Sequence, residues 1–385
     1  MYDVAIVGGS LAGAMTAYHL ASAGLRVVVL EQAATSPRRK ACGEGLFPGG
    51  VRELAASGLL PQLEACSSPL AGVRFNAYGA VARARFGSDD ASARGVRRDL
   101  LDPLVLQRAE AAGAEIRRGV TVTGLTVEGG RAVGVRASSG DVSAKMVVGA
   151  DGLHSRIRRL AGLEARDHGN RYGISVHVLT GHPVEPWVDV HFARHHELYF
   201  TPVGPHEVNV ALLTRKPAMA QFAGQLATSF EAFLRKHPAM PPQWSITSPP
   251  VAAGPFPRKA TRAFRANVVL VGDAAGFFDG ITGEGMSLAL RSARLCAEAI
   301  ERHLETGSLE PFRAYDRERR ALSRNSELMG KLMLALGPRA ALARWSTRNL
   351  ARRPTTFERL AAINAGERPL SSLRPRDLLA LALGF

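Results

Sequence analysis

The sequence predicts an α/β fold in which a domain with a parallel sheet is interleaved with a mostly antiparallel sheet domain, followed by C-terminal helices. Three observations support this prediction. A strand, glycine turn, helix and strand follow one another over residues 3–31, short alternating strands fill 171–214, and the pattern is helical after about residue 311. At 385 residues the chain also exceeds the usual length of one domain.

The first unit has the pattern of a dinucleotide site. "DVAIV" is an apolar run of strand length, "GGSLAGAMTAYHLASAG" is a glycine turn entering a helix, and "LRVVVLE" is a second strand ending in Glu31. Gly8, Ser10 and Gly13 take the G-x-G-x-x-G positions, where small residues allow a tight turn and close approach of a pyrophosphate. The start of the helix offers free N–H groups to phosphates, and Glu31 can accept ribose hydroxyls.

The remaining elements follow from alternation and from helical spacing of leucines. An apolar strand ends at Gly149, and another, "VVLV", ends just before Asp273. A carboxylate at the end of a buried strand requires a partner, because an unpaired buried charge is costly. The other predicted elements are a hairpin at 71–86, a helix from 97, two strands within 120–140, a helix near 218–236 and a strand near 244–253.

Composition limits the classes of function. The net charge of +15 comes mainly from 43 Arg against 6 Lys, without a recognisable nucleic-acid-binding motif, so no nucleic-acid partner is expected. Three scattered cysteines (Cys42, Cys66 and Cys296) predict neither a disulfide framework nor a zinc site. The strand pattern starts at the N-terminus and no apolar run could span a bilayer, so a cytoplasmic location is expected.

Three separated motifs together resemble one superfamily. "VGGSLAG", "GADGLHSRIRR" and "VGDAAGFFDGITGEGMSLAL" occur in the order found in FAD-dependent aromatic hydroxylases shaped like p-hydroxybenzoate hydroxylase. That superfamily also contains geranylgeranyl reductases and flavin halogenases, and the resemblance covers roughly residues 1–310. It implies a Rossmann-like FAD-binding domain (1–70, 95–170 and 255–310), a substrate domain (71–94 and 171–254) and a C-terminal helical region (311–385).

The resemblance also implies which residues bind FAD. Asp273 would meet the ribityl hydroxyls, Arg98 the phosphates and Val122 the adenine, while Asp151 and Arg156 belong to a signature that serves FAD and nicotinamide. The glycines at 283 and 285 would bring backbone N–H groups to the isoalloxazine edge. The complete predicted set is Gly8, Gly9, Ser10, Leu11, Ala12, Gly13, Glu31, Gln32, Lys40, Arg98, Val122, Asp151, Asp273, Gly283, Gly285 and Met286, with no metal ligands.

Two candidate catalytic residues lie in "RRKACGEGL", which runs from Arg38 to Leu46 and resembles the geranylgeranyl reductase version of this loop. Cys42 is interpreted either as a residue beside the flavin or as a small apolar filler. Glu44 is either an acid/base or a surface charge. Four histidines (His177, His191, His195 and His196) have the spacings of strand and loop, which favours solvated or pocket-lining side chains over a metal cluster.

The function predicted from these features is an FAD-dependent monooxygenase that hydroxylates or epoxidises a specialised metabolite. Because no second glycine fingerprint is present, either NAD(P)H would bind transiently or a partner would deliver reduced flavin or electrons. The Trp-x-Trp-x-Ile-Pro signature of tryptophan halogenases is missing, and "ELYFTPVGPHEVNVALL" replaces the aromatic-Trp-x-Phe-Pro segment of geranylgeranyl reductases. Two alternatives remain, an alkene reductase acting on isoprenoids and a flavoprotein that modifies or assembles a protein partner. The substrate is expected to be aromatic, polyketide-like or isoprenoid.

The C-terminal region is strongly basic. Residues 311–385 contain 15 Arg and Lys against 6 Asp and Glu. One interpretation is a helical cap whose leucines face inward and whose arginines are solvated. The other is a docking surface for an anionic partner, either lipid headgroups or an acidic carrier protein.

Overall fold

The structure is a computed structural model that describes residues 1–35, 39–87, 93–166, 169–374 and 377. Arg38, at the start of the candidate catalytic loop, and residues 378–385, at the end of the basic region, lie outside the described residues.

The chain alternates strands and helices before ending in helices. The strands are β1 (Tyr2–Val7), β2 (Val27–Glu31), β3 (Gly45–Leu46), β4 (Ser67–Leu70), β5 (Gly72–Ala77), β6 (Ala80–Arg85), β7 (Ala93–Val96), β8 (Glu115–Arg118), β9 (Val122–Glu128), β10 (Arg131–Ala137), β11 (Val142–Gly149), β12 (Arg171–Thr180), β13 (Trp187–Phe192), β14 (His196–Pro202), β15 (Glu207–Arg215), β16 (Trp244–Ile246), β17 (Val251–Phe256), β18 (Arg258–Lys259), β19 (Phe264–Arg265), β20 (Val268–Leu270) and β21 (Gly276–Phe277). The helices are α1 (Leu11–Ser22), α2 (Pro48–Ala56), α3 (Leu60–Ala65), α4 (Arg98–Ala111), α5 (Arg156–Leu160), α6 (Lys216–Met219), α7 (Leu226–Lys236), α8 (Gly285–Thr306), α9 (Glu310–Leu336), α10 (Ala340–Ala351) and α11 (Pro354–Asn364).

The first sheet has the order β8–β2–β1–β11–β20, and these strands are parallel. β19 pairs antiparallel at one edge, and the β9–β10 hairpin extends from β11. β1 and β2 are nearly continuous buried runs of Val, Ile, Leu and Ala, as expected for parallel strands covered by helices, here α1, α4 and α8. The carboxyl ends of β1, β2, β11 and β20 therefore meet at one edge, where ligands bind in such sheets.

The second sheet has the order β16–β12–β15–β14–β13–β5–β6, with β17 also paired to β12. Its pairs are antiparallel except the parallel β13–β5 pair, which joins the early hairpin to the later strands. Helix α7 covers one face with buried Phe230 and Leu234, and the other face contributes Val190, Tyr199 and Leu213 to a cluster with α9. The predicted α/β fold class with C-terminal helices is confirmed.

Two predicted elements are each divided in the structure. The helix near 218–236 consists of α6, a short 3-10 turn and α7, because Gly224, at φ +82°, interrupts it. The strand near 244–253 is split into β16 and β17 around Pro249 and Pro250, which cannot donate to a ladder. Among the described residues, no helix combines the length and hydropathy needed to cross a bilayer.

Candidate cofactor and substrate site

A cavity of about 1000 Å³ lies between the carboxyl edge of the first sheet, one face of the second sheet and the C-terminal helices. All of the predicted FAD-binding residues line it except Gly9 and Gly13, which lie behind its wall. Cys42 and Glu44 also line it. Motifs that are separated in the sequence by up to about 280 residues therefore meet in one space, as the shared sheet edge requires.

The glycine turn is closed too tightly for any side chain. Gly8 has φ +103°, and a Cβ there would lie 2.5 Å from the carbonyl oxygen of Ala150. A Cβ at Gly13 would lie 1.9 Å from the carbonyl oxygen of Gly8. At the end of β2, Glu31 accepts hydrogen bonds from the backbone N–H of Gly9 (2.7 Å) and of Ala33 (2.9 Å), which fixes its carboxylate at the cavity wall.

Ser10 stands at the N-cap of α1, but its hydroxyl does not cap the helix. It donates to Asp102 (2.8 Å) and accepts from the Arg98 guanidinium (2.8 Å). The first backbone N–H groups of α1 are consequently left for a ligand, and Leu11 and Ala12 line the cavity there. An uncapped helix start beside the two cations Arg98 and Lys40 suits a pyrophosphate.

Asp102 is the residue of this cluster that the sequence analysis missed. It pairs with Arg98 (2.6 Å) and with Lys40 (2.9 Å). Burial opposes ionisation, yet the two cations hold the pKa of Asp102 at about 2. The spacing of four residues between Arg98 and Asp102 on α4 is the signal that could have revealed it.

Asp273 follows β20 and faces the cavity. Its carboxylate accepts no hydrogen bond from any residue in the described ranges, and burial raises its pKa in spite of the charges on Arg98, Lys40 and Arg158. An enclosed carboxylate without a donor fits a ligand that brings hydroxyl groups, as the ribityl chain of FAD does. Gly272, at φ +60°, allows the close approach of this turn to Ala12.

The "GADGLHSRIRR" motif mainly builds local structure. The Asp151 carboxylate accepts from the hydroxyl of Ser155 (2.5 Å) and from the backbone N–H of Arg156 (2.7 Å) and Ile157 (3.1 Å), so it caps the start of α5. The Arg156 guanidinium donates to the carbonyl oxygen of Val122 (2.8 Å). These contacts place Asp151, Arg156 and Val122 together along the wall that is predicted to face adenine.

The interpretation of Glu44 as a surface charge is wrong. Glu44 is only 3% exposed, and its carboxylate accepts from the backbone N–H of Arg98 (2.8 Å) and contacts Nε2 of His177 (2.7 Å). Both oxygens are thus engaged, which favours a structural pair over a free acid/base. Cys42 is half-buried at the cavity wall, and burial raises the pKa of its thiol, so the thiol is protonated at neutral pH.

The other three histidines do not join His177. His196 and His237 approach within 3.4 Å through their Nε2 atoms, His191 stacks edge-on with Phe200, and His195 is exposed. No group of three or more His, Cys, Asp or Glu in the described part of the chain is arranged to hold a metal ion.

A buried ionic cluster joins the second sheet to the loop before α8. Arg171 on β12 pairs with Glu197 on β14 (2.7 Å) and with Asp279 (2.7 Å). Burial raises the pKa of both carboxyls, and the two carboxylates together raise the pKa of Arg171. Asp279 also accepts from the backbone N–H of Ile281 (3.0 Å), so the cluster fixes the Gly280–Gly283 loop that lines the cavity. No local sequence pattern pointed to these long-range partners.

Glu284 separates the two cavity-lining glycines, Gly283 and Gly285, but does not itself line the cavity. It is 2% exposed and its Oε1 atom has no hydrogen-bond partner. Burial raises its pKa to about 8, although Arg291 opposes this. Glu284 is therefore a neutral carboxyl group at neutral pH, directly behind the start of α8.

The end of the cavity opposite the glycine turn is apolar. The ring of Phe75 on β5 packs against those of Phe192 (5.1 Å between ring centroids) and Phe357 (4.8 Å). Val190 and Met333 extend the same wall. The described residues that β5, β13 and helices α9 to α11 contribute to the lining include no charged side chain. This compartment suits an apolar molecule or an apolar part of one.

The arrangement of a glycine turn, an uncapped helix start, Glu31 and an unpaired Asp273 defines a flavoprotein, and FAD is the cofactor that these residues fit. The chain belongs to the FAD binding domain family, whose pattern matches residues 1–327, and it is an oxidoreductase of the FAD-dependent class.

Several characterised proteins are similar over most of the chain. Digeranylgeranylglycerophospholipid reductase 2 of Methanothermobacter thermautotrophicus is 29% identical, covering 80% of this chain and 80% of that protein. Menaquinone reductase of Mycolicibacterium smegmatis is 30% identical, covering 77% and 76%. Rifampicin monooxygenase of Streptomyces venezuelae is 28% identical, covering 82% and 68%.

Solved structures share the fold. The myxobacterial chondrochloren halogenase CndH superposes with a TM-score of 0.80 at 21% identity, covering 99% of this chain and 97% of that one. PqsL of Pseudomonas aeruginosa, solved in complex with 2-aminobenzoylacetate, superposes with a TM-score of 0.75 at 22% identity, covering 89% and 98%. At these identities the similarity extends to the fold alone.

Proposed function

We propose that the protein is an FAD-dependent monooxygenase that hydroxylates or epoxidises an apolar metabolite, with NAD(P)H as transient reductant and O2 as oxygen source. The observation that carries the proposal is the single cavity that joins the FAD-binding motifs to an uncharged, largely apolar compartment. A substrate in that compartment would lie next to the cofactor. FAD, when bound, supplies the redox chemistry.

The chain's own residues would bind and orient the cofactor and the substrate, and they would exclude water. Ser10, Arg98 and the start of α1 would hold the phosphates, and Asp273 would hold the ribityl chain. Aromatic and aliphatic side chains of the apolar compartment would keep water from the reacting atoms. Tyr199, Thr201 and Leu213 on β14 and β15 form part of that wall, in the segment that replaces the aromatic-Trp-x-Phe-Pro segment of geranylgeranyl reductases.

A reductase that saturates an isoprenoid alkene is the second candidate. The loop around Cys42 resembles the geranylgeranyl reductase version, and two of the similar proteins are named as reductases. Alkene reduction consumes a hydride and a proton. The thiol of Cys42, which burial keeps protonated, lines the cavity and is a suitable proton donor.

The two candidates differ in their use of oxygen. The FAD-loaded protein would be incubated with NADPH or NADH and a lipid extract of the source organism, with and without O2. Mass spectrometry would then detect a product that has gained one oxygen atom, labelled when the gas is ¹⁸O2. A product that has gained two hydrogen atoms, formed equally well without O2, would overturn the monooxygenase proposal in favour of the reductase.

Cys42→Ala provides a second test. A monooxygenase that uses no thiol proton should retain substrate-dependent NAD(P)H oxidation within about threefold. A reductase that uses Cys42 should lose at least about a hundredfold in turnover, the lower end of the range that general acids contribute. Cys66→Ala is the matched control, because Cys66 is similarly half-buried and does not line the cavity.

A further inference from the structure

Four large apolar side chains stand exposed on adjoining parts of α9 and α10. Leu328 and Leu332, one turn apart on α9, are 44% and 47% exposed. Leu342 and Trp345, three residues apart on α10, are 44% and 40% exposed. Single exposed leucines are ordinary, whereas contiguous exposed apolar surface is a feature of interaction sites. We name these four residues the mouth patch.

The mouth patch is continuous with the apolar compartment. Leu332 and Trp345 line the cavity and are also among its most exposed lining residues, so the cavity reaches the surface between α9 and α10. Behind them, Met333 and Leu336 continue the lining inward. The opening is therefore apolar from its rim to its interior, which is a path for an apolar molecule.

The surroundings of the mouth patch are positively charged. Residues 321–353 contain one acidic residue, Glu327. Exposed cations alternate with the patch residues along both helices, and none of the following forms an ion pair with a described residue: Arg324, Lys331, Arg344, Arg348 and Arg352. Their charge is available for an anionic partner.

We propose that the mouth patch docks on an anionic membrane surface and that an apolar substrate enters the cavity from the lipid phase. A helix with Trp and Leu beside Arg is the pattern of segments that lie in the membrane interface, where long basic side chains reach the headgroups. An acidic protein would complement the charges, but it would not account for an apolar rim that opens into an apolar cavity. The docking does not depend on which reaction the flavin performs.

Vesicle binding tests the proposal without turnover. FAD-loaded protein should co-sediment with vesicles of phosphatidylglycerol and phosphatidylcholine at about 0.1 M salt, and binding should fall at least tenfold near 1 M salt, where the Debye length shrinks from about 10 Å to about 3 Å. Vesicles of phosphatidylcholine alone should bind at least tenfold more weakly. No binding to anionic vesicles at low salt would overturn the proposal, including when an acidic carrier protein is captured instead.

Variants locate the contact. Leu328→Ser with Leu342→Ser, and separately Arg344→Ala with Arg348→Ala, should each weaken vesicle binding about tenfold. None of these four residues lines the cavity, so FAD content and turnover of a detergent-dispersed substrate should be unchanged. The matched controls, Leu160→Ser with Leu309→Ser and Arg313→Ala with Arg317→Ala, change equally exposed residues away from the mouth and should bind normally. Equal losses in the variants and the controls would contradict the assignment of this surface.

The fluorescence of Trp345 tests whether the mouth patch enters the lipid bilayer. The chain has three tryptophans, so Trp187→Phe with Trp244→Phe leaves Trp345 as the only source of tryptophan emission. Brominated phosphatidylglycerol should quench that emission in the anionic vesicles. Vesicle binding without quenching would show that another surface makes the contact and would overturn the proposal.

Discussion

The two ends of the cavity are built in opposite ways. At the motif end, side chains are short or charged, and backbone N–H groups and carboxylates such as Asp273 face the cavity. At the apolar end, the described lining residues from β5, β13 and the C-terminal helices carry no charge, and the ring of Phe75 contacts those of Phe192 and Phe357. The motif end offers hydrogen-bonding groups that fit FAD, whereas the apolar end offers a hydrophobic surface with no charged group among those lining residues. Cofactor identity is consequently readable from the chain, and substrate identity is not.

The largest expected effect comes from the buried ionic cluster that joins the second sheet to the loop before α8. Arg171→Met would leave Glu197 and Asp279 buried without their cation, and we expect a loss of about 3–5 kcal/mol in the free energy of unfolding. Urea denaturation of the FAD-loaded protein measures it. Arg235→Met removes an exposed pair with Glu231 and should cost less than about 1 kcal/mol. Similar losses in both variants would show that the buried cluster does not stabilise the fold more than an exposed ion pair does.

The next effect concerns Glu284, behind the motif end. Between pH 4.5 and about 8, the folded protein keeps a proton on Glu284 that the unfolded chain has released. Stability should therefore fall as the pH rises through this window, by up to about 1.4 kcal/mol per pH unit for this one group. Glu284→Gln removes this dependence, so its stability relative to the wild type should increase by roughly 2–4 kcal/mol from pH 5 to pH 8.

Urea denaturation at several pH values checks the Glu284 prediction. Glu128→Gln, at an exposed strand end, is the control and should follow the wild type across the range. A constant difference between Glu284→Gln and the wild type from pH 5 to pH 8 would mean that Glu284 ionises normally in the folded protein.

A smaller effect is expected on FAD binding at the motif end. Asp273→Ala should weaken FAD binding by about 1.5–3 kcal/mol, since hydroxyl groups of the ligand would lose a charged acceptor. Fluorescence titration of the deflavinated protein with FAD gives the dissociation constant, which should rise about 10- to 150-fold. Asp141→Ala, at an exposed position, should leave it unchanged. An unaltered affinity in Asp273→Ala would remove this carboxylate from the cofactor site.

The smallest effect on the cofactor should come from the apolar end. Met333→Trp would place a larger ring in the compartment, where Met333 now lines the wall. FAD affinity should change by less than about twofold, while substrate-dependent NAD(P)H oxidation should fall at least about tenfold because the substrate no longer fits. Loss of FAD together with turnover would indicate that the two ends cannot be altered independently.

The sequence could predict that the motif residues lie together because parallel strands bring their carboxyl ends to one edge. Glu31 ends such a strand, Gly8, Asp151 and Asp273 come shortly after one, and all four line one cavity. Which atoms of FAD each residue meets stays a prediction. Asp102 could also have been inferred, since its partner Arg98 lies one helical turn away.

The rest depends on contacts between distant segments. His177 and Glu44 are 133 residues apart, and Arg171 and Asp279 are 108 apart, so no local periodicity pairs them. From the sequence alone, Glu44 is therefore open to interpretation as a surface charge. Its burial results from the packing of β12 against its loop. The apolar end was unpredictable for a different reason, because leucines at helical spacing on α9 are consistent with a core, a cavity wall or a surface.

Helix α9 runs past the strand end near Asp273, the Thr282 loop and the opening of the cavity. Near its start, the hydroxyl of Tyr315 donates to the carbonyl oxygen of Leu270 (2.7 Å), just before Asp273. Further along, Ser326 donates to the hydroxyl of Thr282 (2.8 Å), and its last turns reach the surface at the rim. This rod of about 40 Å is therefore one continuous element that contacts the Thr282 loop of the cavity wall and also forms part of the opening.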